Sequence, residues 1–173
     1  MMIKMLKAKI RDIPDFPQPG IVFKDITPLL GDGKAFSTAI DLLRQRYSNQ
    51  RVDYVVGVEA RGLVIGAALA NALSTGFIMV RKPGKLPAET LQATYELEYG
   101  TDSLEIHLDA MTPGSQVVIV DDVLATGGTM AAVTELVATL KVNIIEVAFL
   151  IELSFLNGRS RLQNHSLYSL IQY

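Results

Sequence analysis

The stretch Val117–Thr129, VVIVDDVLATGGT, decides how this chain reads. Val117 to Val120 is an apolar, β-branched run of the kind buried on both faces of a parallel sheet. Two adjacent carboxylates, Asp121 and Asp122, end it. A short turn with Thr126, Gly127, Gly128 and Thr129 follows. Met130, Val133, Val137 and Leu140 then recur at helical spacing. Strand, glycine turn and helix in that order place acidic side chains and free backbone N–H groups at the carboxyl end of a buried strand. Ligands bind at that end of open α/β sheets.

Outward from this unit the chain keeps alternating. Val52–Val58 reads as a strand and Arg61–Leu73 as a helix rich in small residues. Phe77–Val80, Ile144–Ile151 and Leu167–Ile171 read as further strands. Phe36, Ile40, Leu43 and Tyr47 mark one face of a helix from about Lys34 to Ser48, and Ile3, Leu6 and Ile10 suit a short N-terminal helix. The segment between them, with Pro14, Pro17, Pro19 and Pro28, reads as a loop. In YELEYGTDSLEIHLD (Tyr95–Asp109) apolar and polar residues alternate on both sides of Gly100–Ser103, a β-hairpin with one wet face. Strands alternating with helices require parallel pairing through right-handed crossovers. The predicted fold is α/β: a doubly wound, mainly parallel sheet flanked by helices, one domain over residues 1–173 with no repeat and no linker.

Composition narrows the function classes. Hydrophobic residues make up 49% and charged residues 20%, ordinary values for a soluble domain. A net charge of −2 gives no footprint for nucleic acid or an anionic membrane. With no cysteine there is no disulfide, thiolate nucleophile or cysteine-held zinc, and only His107 and His165 exist to build a histidine cage. Gly62–Val80 is uncharged, but Asn71, Ser74, Thr75 and Gly76 break it as a helix end and a turn. The N-terminal MMIKMLKAKIRDI lacks an apolar signal core, so a cytoplasmic protein is expected.

The Asp-Asp loop has a chemical logic. A phosphate needs several donors aimed at one point, and a glycine turn entering a helix supplies them from the backbone. The Thr126 and Thr129 hydroxyls add donors or cap the helix. The chain contains neither G-x-x-x-x-G-K-[ST] nor G-x-G-x-x-G, so neither a P-loop nor a dinucleotide site is indicated. Two carboxylates repel a phosphate, so they address neutral hydroxyls or a hydrated Mg²⁺. Phosphate, diol and divalent cation together describe a phosphorylated ribose. The plain alternative is a capping aspartate on an ordinary strand–helix turn.

VVIVDDVLATGGT resembles the phosphoribosyl-pyrophosphate (PRPP) signature of the type I phosphoribosyltransferases. The resemblance implies that Asp121 and Asp122 hold the ribose hydroxyls, and that Ala125, Thr126, Gly127, Gly128 and Thr129 hold the 5′-phosphate. FPQPGIVFKDITPLL (Phe16–Leu30) is similar to the base-recognition segment of the adenine branch of that family. It implies an N-terminal hood, about residues 1–33, in which the backbone of Val22 and Lys24 reads the purine edge and Phe23 stacks on its face. Read without the resemblance, this is a Pro-rich surface loop. GVEARGLVIGAALA (Gly57–Ala70) resembles the pyrophosphate loop, with Arg61 on the anion and a cis Glu59–Ala60 peptide. An Arg61–Glu59 surface pair is the structural alternative. VRKPGKLPAET (Val80–Thr90) resembles the flexible lid, about residues 81–109 with its hairpin. Arg81, Lys82 and Lys85 would meet the pyrophosphate, and Glu98 matches the catalytic carboxylate. IELSFLNGRSRL (Ile151–Leu162) resembles the C-terminal turn, with Leu153 an apolar wall for the base.

The resemblance therefore implies purine salvage: transfer of the phosphoribosyl group from PRPP to adenine, catalysed by Glu98 and Arg61 in a homodimer. Mg²⁺ is the expected cofactor, held mainly by PRPP with no protein metal site. A 6-oxopurine substrate is the nearest alternative because Lys24 could meet an exocyclic oxygen. A PRPP-sensing regulatory module is another, although no basic nucleic-acid-binding region accompanies it here.

Overall fold

The computed structural model describes residues 2–96 and 100–173. A helix α1 (Met2–Lys7) leads into a two-stranded antiparallel ribbon, β1 (Arg11–Pro14) and β2 (Val22–Asp25). The short helix α2 (Thr27–Gly31) and the longer α3 (Gly33–Tyr47) follow. Asp32 caps α3, accepting from the N–H groups of Lys34 at 3.1 Å and Ala35 at 3.0 Å. The proline segment expected as a loop thus contains a ribbon and a helical turn. Ion pairs Arg11–Asp25 and Lys24–Asp12, both 2.6 Å, and an edge-on Phe16–Phe23 contact hold the ribbon, none of which has a period to read.

The central sheet comprises β3 (Tyr54–Val58), β4 (Gly76–Val80), β7 (Gln116–Leu124), β8 (Asn143–Glu152) and β9 (Leu167–Gln172). They lie in the order β4-β3-β7-β8-β9 and every pair is parallel. Helices α4 (Arg61–Leu73) and α5 (Gly128–Ala138) make the crossovers. Side chains alternate cleanly across the sheet. Val55, Val118, Val120, Ala148 and Leu150 join α3, α4 and the N-terminal elements in one core. Val56, Val117, Ile119, Val147 and Phe149 join α5 and the hairpin in the other. The sheet is covered on both faces and doubly wound, as the alternation of elements predicted.

The hairpin pairs β5 (Thr90–Glu96) with β6 (Thr101–His107). Its first strand begins earlier than the alternation indicated, because small and hydroxylated residues such as Ala93 and Thr94 pair through their backbones without an apolar stripe. Its polar face is not wholly wet. Glu105 is buried at 9% exposure and accepts from the Gly84 N–H at 3.1 Å, while Arg81 and Glu105 exchange backbone hydrogen bonds. Among the described residues, no helix is long and apolar enough to cross a membrane.

Candidate active site

The strand order reverses between β3 and β7: the chain leaves β3 toward β4 on one side and β7 toward β8 on the other. This switch point opens a crevice at the carboxyl ends of the two strands. A cleft of about 240 Å³ lies there, lined by Glu59–Arg61, Lys82, Tyr95 and the continuous run Asp121–Met130. The first residues of α4 and α5 both border it, so two helix N-termini converge on one space. The Glu59–Ala60 peptide is cis, as the resemblance implied.

The two aspartates are part of β7 rather than the start of a loop, which corrects the strand end expected at Val120. Asp121 pairs with Phe149 of β8 and the ladder continues to Leu124. The carboxylates are tolerated because each has a partner. Asp121 Oδ1 accepts the Asp122 N–H at 2.8 Å, and Asp122 Oδ2 accepts from Arg61 Nε. Arg61 therefore pairs with Asp122 and not with Glu59. Desolvation, then the adjacent Asp122 charge, pushes the Asp121 carboxyl well above the usual carboxylate range. Two carboxyl groups side by side offer acceptors to neutral hydroxyls, whereas a phosphate has no proton donor to give them. Gly62 makes the approach possible: a Cβ there would stand 2.7 Å from Asp121 Oδ1.

Gly127 is the N-cap of α5 with φ +82°, a left-handed conformation that favours glycine. Neither Thr126 nor Thr129 caps the helix; no side chain among the described residues does. The first-turn N–H groups thus remain available to an anion beside Ala125, Thr126, Gly128 and Thr129.

The three cations of the segment after β4 diverge. Lys82 lines the cleft, where its ammonium contacts Asp102. Arg81 reaches back to Glu59, with Nε at 3.2 Å from Oε2 and Nη2 at 3.3 Å from Oε1. The Lys82 N–H also donates to Glu59 at 2.8 Å and, with Arg81, holds that carboxyl below its usual range despite burial. Lys85 is exposed outside the cleft, and its carbonyl lies 3.5 Å from Arg81 Nη1.

Phe23 joins the N-terminal ribbon to this crevice, since the Arg61 guanidinium stands 5.2 Å from its ring centroid. Val22 is exposed. The Lys24 ammonium is engaged by Asp12 at 2.6 Å and by the Tyr173 ring at 4.2 Å, and Lys24 itself pairs with Asp12 in the ribbon. Leu153 is half-buried and its N–H donates to the Leu124 carbonyl at 2.9 Å, just below the glycine turn. Glu98 lies outside the described residues.

Sequence reasoning passed over Tyr95 and Glu59. Tyr95 read as an inward apolar residue, yet it borders the cleft and its hydroxyl donates to Asp102 at 3.2 Å. A half-buried tyrosine needs a partner for its hydroxyl, and that requirement was the available signal. Glu59 read only as a possible partner for Arg61, whereas it organises Arg81 and Lys82.

Residues 30–167 match the family model of the phosphoribosyl transferase domain. The chain belongs to the phosphoribosyltransferase family. It is 59% identical to the adenine phosphoribosyltransferase of Pelobacter propionicus over 99% of this chain and all of that one. That of Geobacter metallireducens is 60% identical over 97% of this chain and 98% of its own length. Among solved structures, the adenine phosphoribosyltransferase of Thermoanaerobacter pseudethanolicus is similar with a TM-score of 0.96 at 53% identity, covering 99% of both chains. The Saccharomyces cerevisiae enzyme, solved with adenine and an imino-altritol bisphosphate, gives 0.92 at 44% identity over 98% of each. The parallel sheet and its switch-point crevice are those of the type I phosphoribosyltransferase fold.

Proposed function

We propose that the protein transfers the 5-phosphoribosyl group of PRPP to adenine, giving AMP and pyrophosphate, in purine salvage. The observation that carries this reading is the convergence of Arg61, Asp121, Asp122 and the Ala125–Thr129 turn on one crevice. Adenine N9 forms the new bond to ribose C1, the bond from C1 to the pyrophosphate oxygen breaks, and pyrophosphate leaves with its electrons. Backbone donors of the turn bind the 5′-phosphate, and the aspartates orient the ribose diol. Arg61 and Lys82 meet the pyrophosphate, with Arg81 and Lys85 joining when the segment over the crevice closes. Catalysis then consists of positioning and stabilising the departing charge. Glu98, near N7, accepts the imidazole-ring proton that adenine gives up as N9 bonds to C1.

Val22, Phe23, Lys24 and Leu153 form the base slot under the N-terminal hood. The engagement of Lys24 by Asp12 and Tyr173 favours adenine over a 6-oxopurine, whose exocyclic oxygen would call on a free ammonium. Mg²⁺ would be held mainly by the oxygens of PRPP, since a hard cation that dehydrates reluctantly is usually carried on substrate phosphates. Bound there, Mg²⁺ would neutralise diphosphate charge. A homodimer in the cytoplasm belongs to the same reading.

The test is purified protein with PRPP, Mg²⁺ and a panel of nucleobases. AMP from adenine is expected; no nucleotide, or preferential turnover of guanine or xanthine, would overturn the reading.

A further inference from the structure

Glu152 ends β8 and is only 5% exposed. Its carboxylate receives Arg159 in a bidentate pair, Nε to Oε1 and Nη2 to Oε2, each at 2.7 Å. Arg159 also donates to the Leu167 carbonyl at 3.5 Å and to the Ser169 hydroxyl at 3.4 Å. Such a fork on a buried carboxylate fixes the guanidinium in plane as well as in distance. What it anchors is the residue just before it.

Gly158 is buried against the glycine turn of the crevice. A Cβ on Gly158 would fall onto the Ala125 carbonyl, and one on Gly127 would stand 2.5 Å from the Gly158 oxygen. The Gly158 peptide is thus the floor of the turn whose N–H groups face the cleft. The residue after Glu152 holds the other side, because the Leu153 N–H donates to Leu124 at the root of the same turn. Segment 152–159 therefore grips the turn at two places, and the Glu152–Arg159 pair closes the grip.

We propose that Glu152 and Arg159 are positioning residues that set the aim of the Ala125–Thr129 turn toward phosphate without touching substrate themselves. This rests on the reading of that turn as the 5′-phosphate site. A pair serving stability alone would lower the melting temperature and leave affinity for phosphate unchanged.

Arg159→Gln, Arg159→Lys and Glu152→Gln are compared with the wild type below their melting temperatures. Ribose 5-phosphate binding is measured by calorimetry, and KM is measured for PRPP and for adenine. In Arg159→Gln the Kd for ribose 5-phosphate and the KM for PRPP are expected to rise together about tenfold, as small misplacements of a binding loop do. The KM for adenine should change by less than about twofold, and Arg159→Lys should fall between Arg159→Gln and wild type because it keeps charge but not the fork. A folded Arg159→Gln protein with unchanged ribose 5-phosphate affinity, or with equal losses toward adenine, overturns the proposal. If Arg159→Gln does not fold, Arg159→Lys decides by the same constants. Wild-type protein that binds no ribose 5-phosphate overturns the phosphate-site reading and the proposal with it. Wild-type binding that the variants retain overturns the positioning role alone.

Discussion

Arg61 and Asp122 hold each other through Nε and Oδ2 across the β3–β7 crevice. The aspartate side chain is 9% exposed and the arginine 42%, so the pair is buried at one end and open at the other. Among the described residues only Nε of the guanidinium is hydrogen-bonded, which leaves its outer nitrogens for an anion. The proposed pyrophosphate and ribose sites therefore share one ion pair, and each orients the other's side chain before substrate arrives.

Asp121→Asn together with Asp122→Asn is expected to abolish measurable PRPP binding. Two hydrogen bonds to charged groups contribute about 1.5–3 kcal/mol each, so the loss should reach about a hundredfold or more. Calorimetry with PRPP checks this, and unchanged affinity would sink the ribose assignment.

Gly62→Ala should impair the site without replacing a charged residue. Its Cβ would meet Asp121 Oδ1 at 2.7 Å and the Val120 carbonyl at 3.0 Å, and the latter is backbone that cannot swing aside. Overpacking of this kind costs about 1–3 kcal/mol. A lower melting temperature and a raised KM for PRPP are expected; wild-type values for both would show that the close approach is unimportant.

Glu98→Ala should lose turnover while PRPP affinity stays nearly intact. A positioned acid–base group contributes about 10²–10⁴-fold to the rate. Single-turnover kinetics with saturating adenine and PRPP measure it, and a near-wild-type rate would remove Glu98 from the mechanism.

The N-terminal segment should show its own acid sensitivity. The Thr27 hydroxyl and N–H, then Arg11, lower the Asp25 carboxyl from 3.8 to about 2. A carboxyl depressed in the folded state contributes stability that is present above its unfolded pKa and lost as pH falls through the folded one. The melting temperature should therefore fall between about pH 4 and pH 2 partly through Asp25, and Asp25→Asn should flatten that slope. An identical pH profile for the variant would exclude this contribution.

The fold was legible where burial imposes a period. Val117–Val120, Phe36–Tyr47 and Arg61–Leu73 lie in the elements their patterns predicted, because packing against the sheet demands an unbroken apolar face. The ribbon Arg11–Asp25 was not, since it is held by ion pairs and a single aromatic contact. Likewise β7 runs on through Asp121 and Asp122 because Arg61, distant in sequence, makes carboxylates acceptable there. The glycine turn and its aspartates could be read as a motif. The Glu59–Arg81 and Glu152–Arg159 pairs could not, as nothing in composition or spacing says which carboxylate a given arginine will meet.

The strand order has a consequence for how the chain assembles. β3 is flanked by β4, its successor in the sheet, and by β7, which enters only after the whole hairpin has been made. A nascent chain that ends before residue 116 contains Arg61, Lys82 and the hairpin, yet one edge of β3 has no strand to pair with. Long-range parallel pairing of this kind forms late and slowly. The crevice is therefore not a preformed pocket to which binding groups are added. It takes shape only when the strand carrying Asp121 and Asp122 docks beside β3, so translation must pass that strand before the crevice has both its walls.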